Sequence, residues 1–463
     1  MSTQRPRRHG RSGCRTTRKA KGRTTRICHS AATTEQEGSG VDRQLARAIV
    51  SKLGATGTPP EFGIEAFTVG LERYLRVMEE EYLDGILKHG LSSFKLITGN
   101  YGGGKTHFLY CVRNLAFKHN YCVAYVGLNP TECPFDKLEL VYRAITASLS
   151  PPHPTDRPGD VWSSGIEQVI RRWVERQRAA ADTRERLQEY LTGLPAPEST
   201  SFGNAVRGAF ETLAADDADG FSDVVQWLKG EETHRDVRVR FRISERVDKA
   251  TAFRMLRSLI QWVHAIGYTG LVLLFDEAER GMSITSSRDR KRALDNLRQL
   301  VDECGNSRLP GAMMLYAVPD ENLLFDGSGG VYEALKQRLR SGFSEVNPVG
   351  VRINLEELGI EPAEFLARLG SRLSVLFETA YEVKLPPERR DRALRLLAEL
   401  AVSAFVLDIS YRRLFVVAAV DVLHQLRAKP DLEFGQKDAE KLLRVTTRQL
   451  EKAEQAKVES EEF

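Results

Sequence analysis

No stretch of this sequence is apolar for long enough to cross a membrane. A transmembrane helix needs about 20 consecutive apolar residues, and the apolar run at residues 271–275 is far shorter. The composition, with 41% hydrophobic and 28% charged residues, is typical of soluble globular proteins. We therefore expect a protein with no membrane partner, and its 463 residues predict two or three structural units.

Cysteine pairs with the spacing of a metal site or a redox motif are also missing. The six cysteines form no CxxC pair and no zinc-finger pattern; they are Cys14, Cys28, Cys111, Cys122, Cys133 and Cys304. This distribution is typical of reduced thiols, so we expect a cytoplasmic protein.

Acidic residues are absent from the first 34 positions. Residues 1–34 hold ten of the 67 basic residues and none of the 63 acidic ones, so the rest of the chain is mildly acidic. They also lack the apolar segment of a secretory signal peptide. We predict a basic, disordered tail over residues 1–40. An over-long gene start, an organelle transit peptide and non-specific nucleic-acid contact are alternatives.

A phosphate-binding loop follows the first apolar strand, in the stretch SSFKLITGNYGGGKTHFLY. Residues 99–106 match G-x-x-x-x-G-K-[ST] at every fixed position, and a predicted helix follows them. Glycines let successive backbone N–H groups point at phosphates, and the N-terminus of the helix adds positive potential. Lys105 would bridge phosphate oxygens, and the Thr106 hydroxyl would bind Mg²⁺. The predicted nucleotide-binding residues are Gly99, Asn100, Tyr101, Gly102, Gly103, Gly104, Lys105, Thr106 and His107.

A second motif supplies what hydrolysis needs beyond binding. In GLVLLFDEAER, an apolar strand ends at Asp276 and Glu277. Ligands of open α/β sheets collect at the carboxyl ends of strands, so Asp276 would join Thr106 at Mg²⁺. Glu277 would orient and deprotonate the attacking water, and the predicted catalytic residues are Glu277, Lys105, Arg338 and Arg412. An apolar strand that ends in two acids is weak evidence alone, but together with the loop it predicts nucleotide hydrolysis.

The spacing of these motifs predicts how the chain is organised. Lys105 and Asp276 are 171 residues apart, whereas two strand–helix units of roughly 30 residues each would fill about 60. We therefore predict a helical insertion over residues 151–246. The other predicted segments are an ATPase core at residues 41–355, a helical lid at 356–430 and a charged helix at 431–463. The predicted fold class is α/β, a P-loop NTPase with a parallel sheet, a long helical insertion and a C-terminal helical lid.

Helical periodicity before the loop predicts one further element. Residues 69–87 carry apolar residues at helical spacing, including Tyr82 and Ile86, and predict one helix with a single buried face.

Polar residues after the acidic motif are candidates for sensing the γ-phosphate. The strand MMLYAVPD would end beside that phosphate if it lies between the two motif strands, which makes Tyr316 and Asp320 candidates. An ordinary tyrosine at the edge of the core is an equally good interpretation of Tyr316.

Four arginines are candidates for contacting the phosphates. Arg338 and Arg340 lie on the next predicted helix, where one could reach the nucleotide of a neighbouring subunit as an arginine finger. A solvated basic face explains them equally well. Arg412 and Arg413 begin a helix of the lid, and one of them could fold back onto the phosphates while the other faces water.

The two motifs, the strand after them and the helical lid have the element order of AAA+ and related P-loop ATPases. More narrowly, the chain from about residue 41 to 426 resembles the BrxD-type ATP-binding P-loop proteins of bacterial BREX and related phage-defence systems. The stretches that carry the resemblance are GTPPEFG, FTVGLERYL, SFKLITGNYGGGKTHFL, LNPTECPFDKLELVY, VVQWLKGE and LLFDEAE.

This resemblance implies a bacterial cytoplasmic ATPase that uses ATP and Mg²⁺ and works with a DNA-directed partner, often a large helicase. It also implies a fold similar to origin-recognition and helicase-loader ATPases, with residues 99–106 on ATP and with Asp276 and Glu277 serving Mg²⁺ and hydrolysis. Those ATPases usually carry a C-terminal winged helix, but only about 35 residues follow the lid here, fewer than the roughly 50 of a small domain. DNA contact would then use the insertion, the basic tail or subunits assembled in ATP.

The leading hypothesis is therefore an ATP-hydrolysing loader or switch in phage defence. The alternative is a signalling switch that holds ATP tightly and recruits a protein effector without DNA contact. A small-molecule kinase fits less well, because a helical lid and Glu277 beside Asp276 suit the activation of water.

Overall fold

The structure is a computed structural model, and it describes most of the chain after residue 40. The described residues are 41–153, 164–180, 189, 191–277, 286–306, 308–320, 330–344, 347–403 and 411–461. The predicted basic tail at 1–40 lies outside them. Among the described helices, none is both long and apolar enough to cross a membrane.

A six-stranded sheet forms the centre of the molecule. Its strands are β1 (Ser93–Thr98), β2 (Tyr121–Gly127), β3 (Leu149–Ser150), β4 (Gly270–Asp276), β5 (Ala312–Val318) and β6 (Arg352–Asn354). They lie in the order β3-β2-β4-β5-β1-β6, so β5 separates the strands of the two motifs. This meets the condition under which the end of β5 approaches the γ-phosphate.

The prediction of a parallel sheet is confirmed for five strands and wrong for β3. The pairs β1–β5, β1–β6, β2–β4 and β4–β5 are parallel, whereas the two-residue β3 runs antiparallel to β2. β3 follows its helix directly and is ended by Pro151 and Pro152, which have no N–H for a ladder. A strand this short at an edge gives no detectable pattern in the sequence.

Helices before and around the phosphate loop are α1 (Arg43–Thr56), α2 (Glu72–Val77), α3 (Lys105–Lys118) and α4 (Leu138–Ser148). The Asp42 side chain caps α1 by accepting from the Leu45 N–H at 2.8 Å. α1 ends at Gly57, whose φ of 65° suits a residue without Cβ.

The prediction of a single helix over residues 69–87 is wrong for the residues that follow α2. The backbone continues as a π-helical segment (Met78–Leu83) and then as a 3₁₀ turn (Ile86–His89). At Gly85 the chain passes so close to the preceding turn that an added Cβ would lie 2.3 Å from the Glu81 carbonyl oxygen. The change of helical repeat turns Ile86 outward, and it is 37% exposed.

Helices are the regular structure described in the region between β3 and β4. Its helices are α5 (Ile166–Ala180), α6 (Thr200–Ala214), α7 (Ala218–Leu228), α8 (Arg235–Arg240) and α9 (Ala252–Ala265). They join the core on one face of the sheet, where Trp173 and Phe210 belong to the same apolar cluster as Leu273 of β4. The limits 151–246 of the insertion stay a prediction.

The second half of the chain adds α10 (Ser287–Gly305), α11 (Gly330–Leu339), α12 (Pro362–Tyr381), α13 (Pro387–Ser403), α14 (Tyr411–Ala428) and α15 (Gln436–Glu461). The last four are the predicted lid and C-terminal helix. They share an apolar cluster with α1 and the other face of the sheet, which brings Leu53, Leu373 and Phe415 together with Ile97 of β1. α1 therefore lies against the lid, beside the phosphate loop. The predicted limits at 355 and 430 stay predictions.

Candidate functional site

The phosphate loop curls tightly between β1 and α3. Gly104 has φ 96°, a conformation that side chains rarely adopt. A Cβ at Gly103 would lie 2.5 Å from Glu356 Oε1 and 2.8 Å from the Asn100 carbonyl oxygen. Lys105 Nζ donates to the Gly99 carbonyl at 2.8 Å and to the Asn100 carbonyl at 3.2 Å. The loop is thus closed on itself by its own lysine.

Asp276 is a buried carboxylate that several donors hold in place. It is 2% exposed at the end of β4. Its Oδ2 accepts from the Thr106 hydroxyl at 2.6 Å and from the Tyr125 hydroxyl at 2.6 Å. Its Oδ1 accepts from the Glu277 N–H at 2.9 Å. Thr106 and Asp276 are therefore hydrogen-bonded to each other, although they are 170 positions apart in the sequence. Both are predicted to bind the same Mg²⁺.

Glu277 takes an unusual backbone conformation beside this carboxylate. Its φ is 51°, a region that residues other than glycine rarely occupy. Such strain persists where surrounding contacts impose it, and it is frequent at active sites. The bond from its N–H to Asp276 is one such contact.

Arg412 of the lid contacts the phosphate loop, and the contact with phosphates that was predicted for one of the two lid arginines stays a prediction. Its buried guanidinium donates to the Gly103 carbonyl and, at 2.9 Å, to the Leu355 carbonyl. It also lies 3.6 Å from Glu356 Oε2 and over the Phe365 ring at 4.9 Å. Arg413 is partly exposed and donates to the Thr56 carbonyl at 2.9 Å. The lid is thereby joined to the loop through Arg412.

Glu356 closes the other side of the loop. Its Oε1 accepts from the Asn100 N–H at 3.1 Å, while its Oε2 faces Arg412. An acid just after β6 follows the same rule that selected Asp276. The stretch VRINLEEL therefore carries a signal for Glu356, which is not among the residues predicted from the sequence.

A single cavity of about 800 Å³ joins these groups to an apolar wall. This is within the usual range of small-molecule sites. Its polar end contains residues 101–107 with Asp276 and Glu277, and Arg412 and Arg413 also line it. Its apolar end is lined by Leu53, Pro59, Phe67, Val69, Leu71, Leu355, Leu358, Phe365, Leu369, Leu373 and Val416. The cavity thus combines the polar groups of the phosphate loop and of the acidic motif with an apolar wall.

Two predicted nucleotide-binding residues make contacts that the loop motif did not indicate. His107 lines the cavity, and its Nε2 is 2.9 Å from the Thr68 hydroxyl. Burial, followed by the positive charge of Arg412, lowers the pKa of His107 to about 4, so the ring is neutral at pH 7. Tyr101 is 60% exposed, with its ring centroid 5.3 Å from Lys105 Nζ.

Tyr316 and Asp320, the candidates for sensing the γ-phosphate, do not line this cavity. Tyr316 is fully buried, with ring contacts to Phe94, Phe135 and Phe275, so the interpretation as a core tyrosine is the one that the structure supports. Asp320 is exposed and does not line the cavity.

Arg338 and Arg340 are also remote from the cavity. Both are exposed, and Arg338 pairs with Asp302 of α10. A role for Arg338 at the nucleotide of a neighbouring subunit stays a prediction.

Tyr125, which touches Asp276, is a second residue of the site that was not predicted from the sequence. In the strand YCVAYVG, period-two alternation puts it on the same face as Val123 and Tyr121. Nothing in that pattern distinguishes a tyrosine at the site from a core tyrosine.

Comparison with known proteins identifies the family of this chain. No curated protein matches the chain. The family model of the BREX system ATP-binding protein BrxC/D matches residues 41–441, which include every residue of the cavity's polar end. The chain therefore belongs to the BrxC/D family of BREX system ATP-binding proteins.

Proposed function

We propose that this protein hydrolyses ATP with the help of Mg²⁺ and couples hydrolysis to a DNA-directed partner in phage defence. One observation carries the proposal. The Thr106 hydroxyl and the Asp276 carboxylate are 2.6 Å apart at the polar end of a cavity whose other end is apolar. ATP has the matching shape, with a charged triphosphate and a flat base.

The residues present fit a magnesium ion. Hydroxyl and carboxylate oxygens are the ligands that Mg²⁺ prefers, and Thr106 and Asp276 supply one of each. When bound, the ion neutralises charge on the phosphate oxygens.

The chain's own groups account for the other requirements of hydrolysis. The backbone N–H groups of residues 102–106 and Lys105 Nζ would hold the phosphates, and Lys105 would exchange its bonds to loop carbonyls for bonds to phosphate oxygens. Glu277, beside Asp276 on the same cavity, would accept a proton from the attacking water. Arg412 would stabilise negative charge near Gly103.

The AAA+ assignment and the loader or switch role are part of the proposal. Support comes from the strand order, in which β5 lies between the strands of the phosphate loop and of the acidic motif. The position of Arg412, which ties a C-terminal helix to the loop, also supports a lid that responds to nucleotide. A lid of this kind gives a protein that changes shape during turnover.

The test is an ATPase assay on the purified protein, with and without single- and double-stranded DNA, together with its mass in ATP. We expect Mg²⁺-dependent release of phosphate that DNA stimulates. Tight retention of ATP with no stimulation by DNA would contradict the DNA-directed role and favour a signalling switch. Phosphorylated product without free phosphate would contradict hydrolysis.

Two variants connect the activity to this cavity. Lys105→Ala should abolish nucleotide binding, because it removes the cation of the phosphate loop. Glu277→Gln should keep binding and lose turnover by at least about 100-fold, since general-base catalysis contributes about that much. Turnover of Glu277→Gln at the parent rate would show that another group activates the water.

A further inference from the structure

Asp276 has a donor that neither the loop motif nor the acidic motif contains. The Tyr125 hydroxyl donates to Asp276 Oδ2 at 2.6 Å, the same oxygen that accepts from Thr106. Tyr125 lies on β2, the strand that pairs with β4 on the side away from the phosphate loop. The Asp276 carboxylate therefore accepts hydrogen bonds from two other elements, from Thr106 of α3 and from Tyr125 of β2.

The sheet register explains why Tyr125 can reach this position. Gly127 is directly opposite Asp276, and Tyr125 is opposite Leu274. Residues two apart on a strand face the same side, so the tyrosine side chain can extend past Gly127. A Cβ at Gly127 would meet nothing within 4 Å, so the space above this glycine is open.

The ring of Tyr125 is fixed by packing on α3. Tyr110, one turn after Thr106 on that helix, packs against it with ring centroids 5.2 Å apart. Arg113 lies over the Tyr110 ring at 4.5 Å and donates to the Glu61 carbonyl.

We propose that Tyr125 is a positioning residue for the metal-binding carboxylate. Its hydroxyl fixes the rotation of the Asp276 carboxyl group, so that this group is presented to the ion without first having to be ordered. Two donors on Oδ2 and one on Oδ1 define a single orientation for the carboxylate. The inference rests on the proposed function, since it concerns the Mg²⁺ that accompanies ATP.

Tyr125→Phe tests this with a closely matched control. The variant keeps the ring and removes one hydroxyl. Tyr121→Phe makes the same change on the same strand, where the Tyr121 hydroxyl donates to the Leu83 carbonyl at 2.7 Å. Both variants lose one hydrogen bond of a tyrosine hydroxyl, but only the Tyr125 hydroxyl touches Asp276. The readout is the affinity for a fluorescent ATP analogue as a function of Mg²⁺ concentration, with EDTA as the zero point.

We expect the Mg²⁺ concentration that gives half of the gain in nucleotide affinity to be about tenfold higher for Tyr125→Phe than for the parent. The nucleotide affinity in EDTA should be unchanged. A hydrogen bond to a charged group has about this effect on an equilibrium. Tyr121→Phe should follow the parent. Equal Mg²⁺ dependence in Tyr125→Phe and Tyr121→Phe would overturn the positioning role.

Two further outcomes remain distinguishable. If Tyr125→Phe does not fold, Tyr110→Leu replaces it, because this variant removes the ring that supports Tyr125 but leaves the hydroxyl. A smaller shift in the same direction is expected, and no shift overturns the inference. If the parent itself shows no Mg²⁺-dependent binding, the proposed function fails, and the inference fails with it.

Discussion

At the scale of single residues, the phosphate loop leaves little space around its backbone at Gly103. Gly103 lies between the Glu356 carboxylate and the Asn100 carbonyl, while its own carbonyl accepts from Arg412. The motif G-x-x-x-x-G-K-[ST] leaves this position open, so the pattern itself does not require glycine here. The requirement comes from the Asn100 carbonyl within the loop and from Glu356, which is distant in sequence.

Gly103→Ala tests this requirement. An added methyl group would displace Glu356 or open the loop, so we expect nucleotide affinity to fall at least about tenfold. Gly305→Ala is the matched control, because a Cβ at Gly305 meets nothing within 4 Å. Nucleotide titration of both variants checks the prediction. Equal affinities would show that Glu356 moves aside freely.

At the scale of elements, the lid and the loop meet through one side chain of α14. Arg412→Ala would leave the Gly103 and Leu355 carbonyls without this donor. We expect the free energy of unfolding to fall by about 2–3 kcal/mol, in line with the loss of buried bonds to a charged group.

Arg413→Ala provides the comparison for Arg412. Arg413 is adjacent on α14 but partly exposed, and its bond is to the Thr56 carbonyl. Its loss should lower the free energy of unfolding by less than about 1 kcal/mol. Chemical denaturation of both variants measures the difference, and equal losses would contradict a special role for Arg412.

The strand β1 contains a buried lysine whose titration should be visible in stability. Lys95 is 1% exposed, and its Nζ donates to the Tyr82 hydroxyl at 2.5 Å and to the Gly350 carbonyl at 2.5 Å. Burial lowers the pKa of Lys95 from 10.5 to about 7. The unfolded chain therefore binds more protons than the native state between pH 7 and pH 10.5, and stability rises with pH across this window.

Lys95→Met should remove this pH dependence. One group contributes at most about 1.4 kcal/mol per pH unit, so the parent should gain up to about 2–3 kcal/mol over Lys95→Met between pH 7 and pH 9. Denaturant unfolding at both pH values measures this change. A constant difference between parent and variant would show that the ammonium form persists in the native state.

At the scale of the whole molecule, the region between β3 and β4 is tied to the core by a charged cluster. Arg257 of α9 donates to both oxygens of Glu198, at 2.6 and 2.7 Å, and to Glu303 of α10 at 3.0 Å. Its side chain is only 16% exposed.

Arg257→Ala would leave two carboxylates close together without their common partner. Removing one member of a buried ion pair typically lowers stability by about 3–5 kcal/mol, and partial exposure here reduces this to about 2–4 kcal/mol. Arg235→Ala, at an exposed position of the same region, should change stability by less than about 0.5 kcal/mol. Thermal and chemical unfolding compare the two, and similar values would mean that packing alone joins the region to the core.

The elements were largely predictable because they depend on local patterns. Apolar runs marked β1, β2, β4, β5 and β6, and helical spacing marked the lid helices. The strand β3 was not predictable because it depends on pairing within the sheet. The end of regular α-helix after α2 was not predictable because it depends on a close backbone approach at Gly85.

The sequence by itself determined the two chemical motifs, since a phosphate loop and an acidic strand end are defined by consecutive residues. It also sufficed to indicate the family. Only the tertiary structure decided which side chains from other parts of the chain complete the site. Arg412, Glu356 and Tyr125 reach it from the lid, from the end of β6 and from β2. Local patterns make Arg412 and Glu356 candidates, but which strands are neighbours and where the lid packs decide that they reach the site.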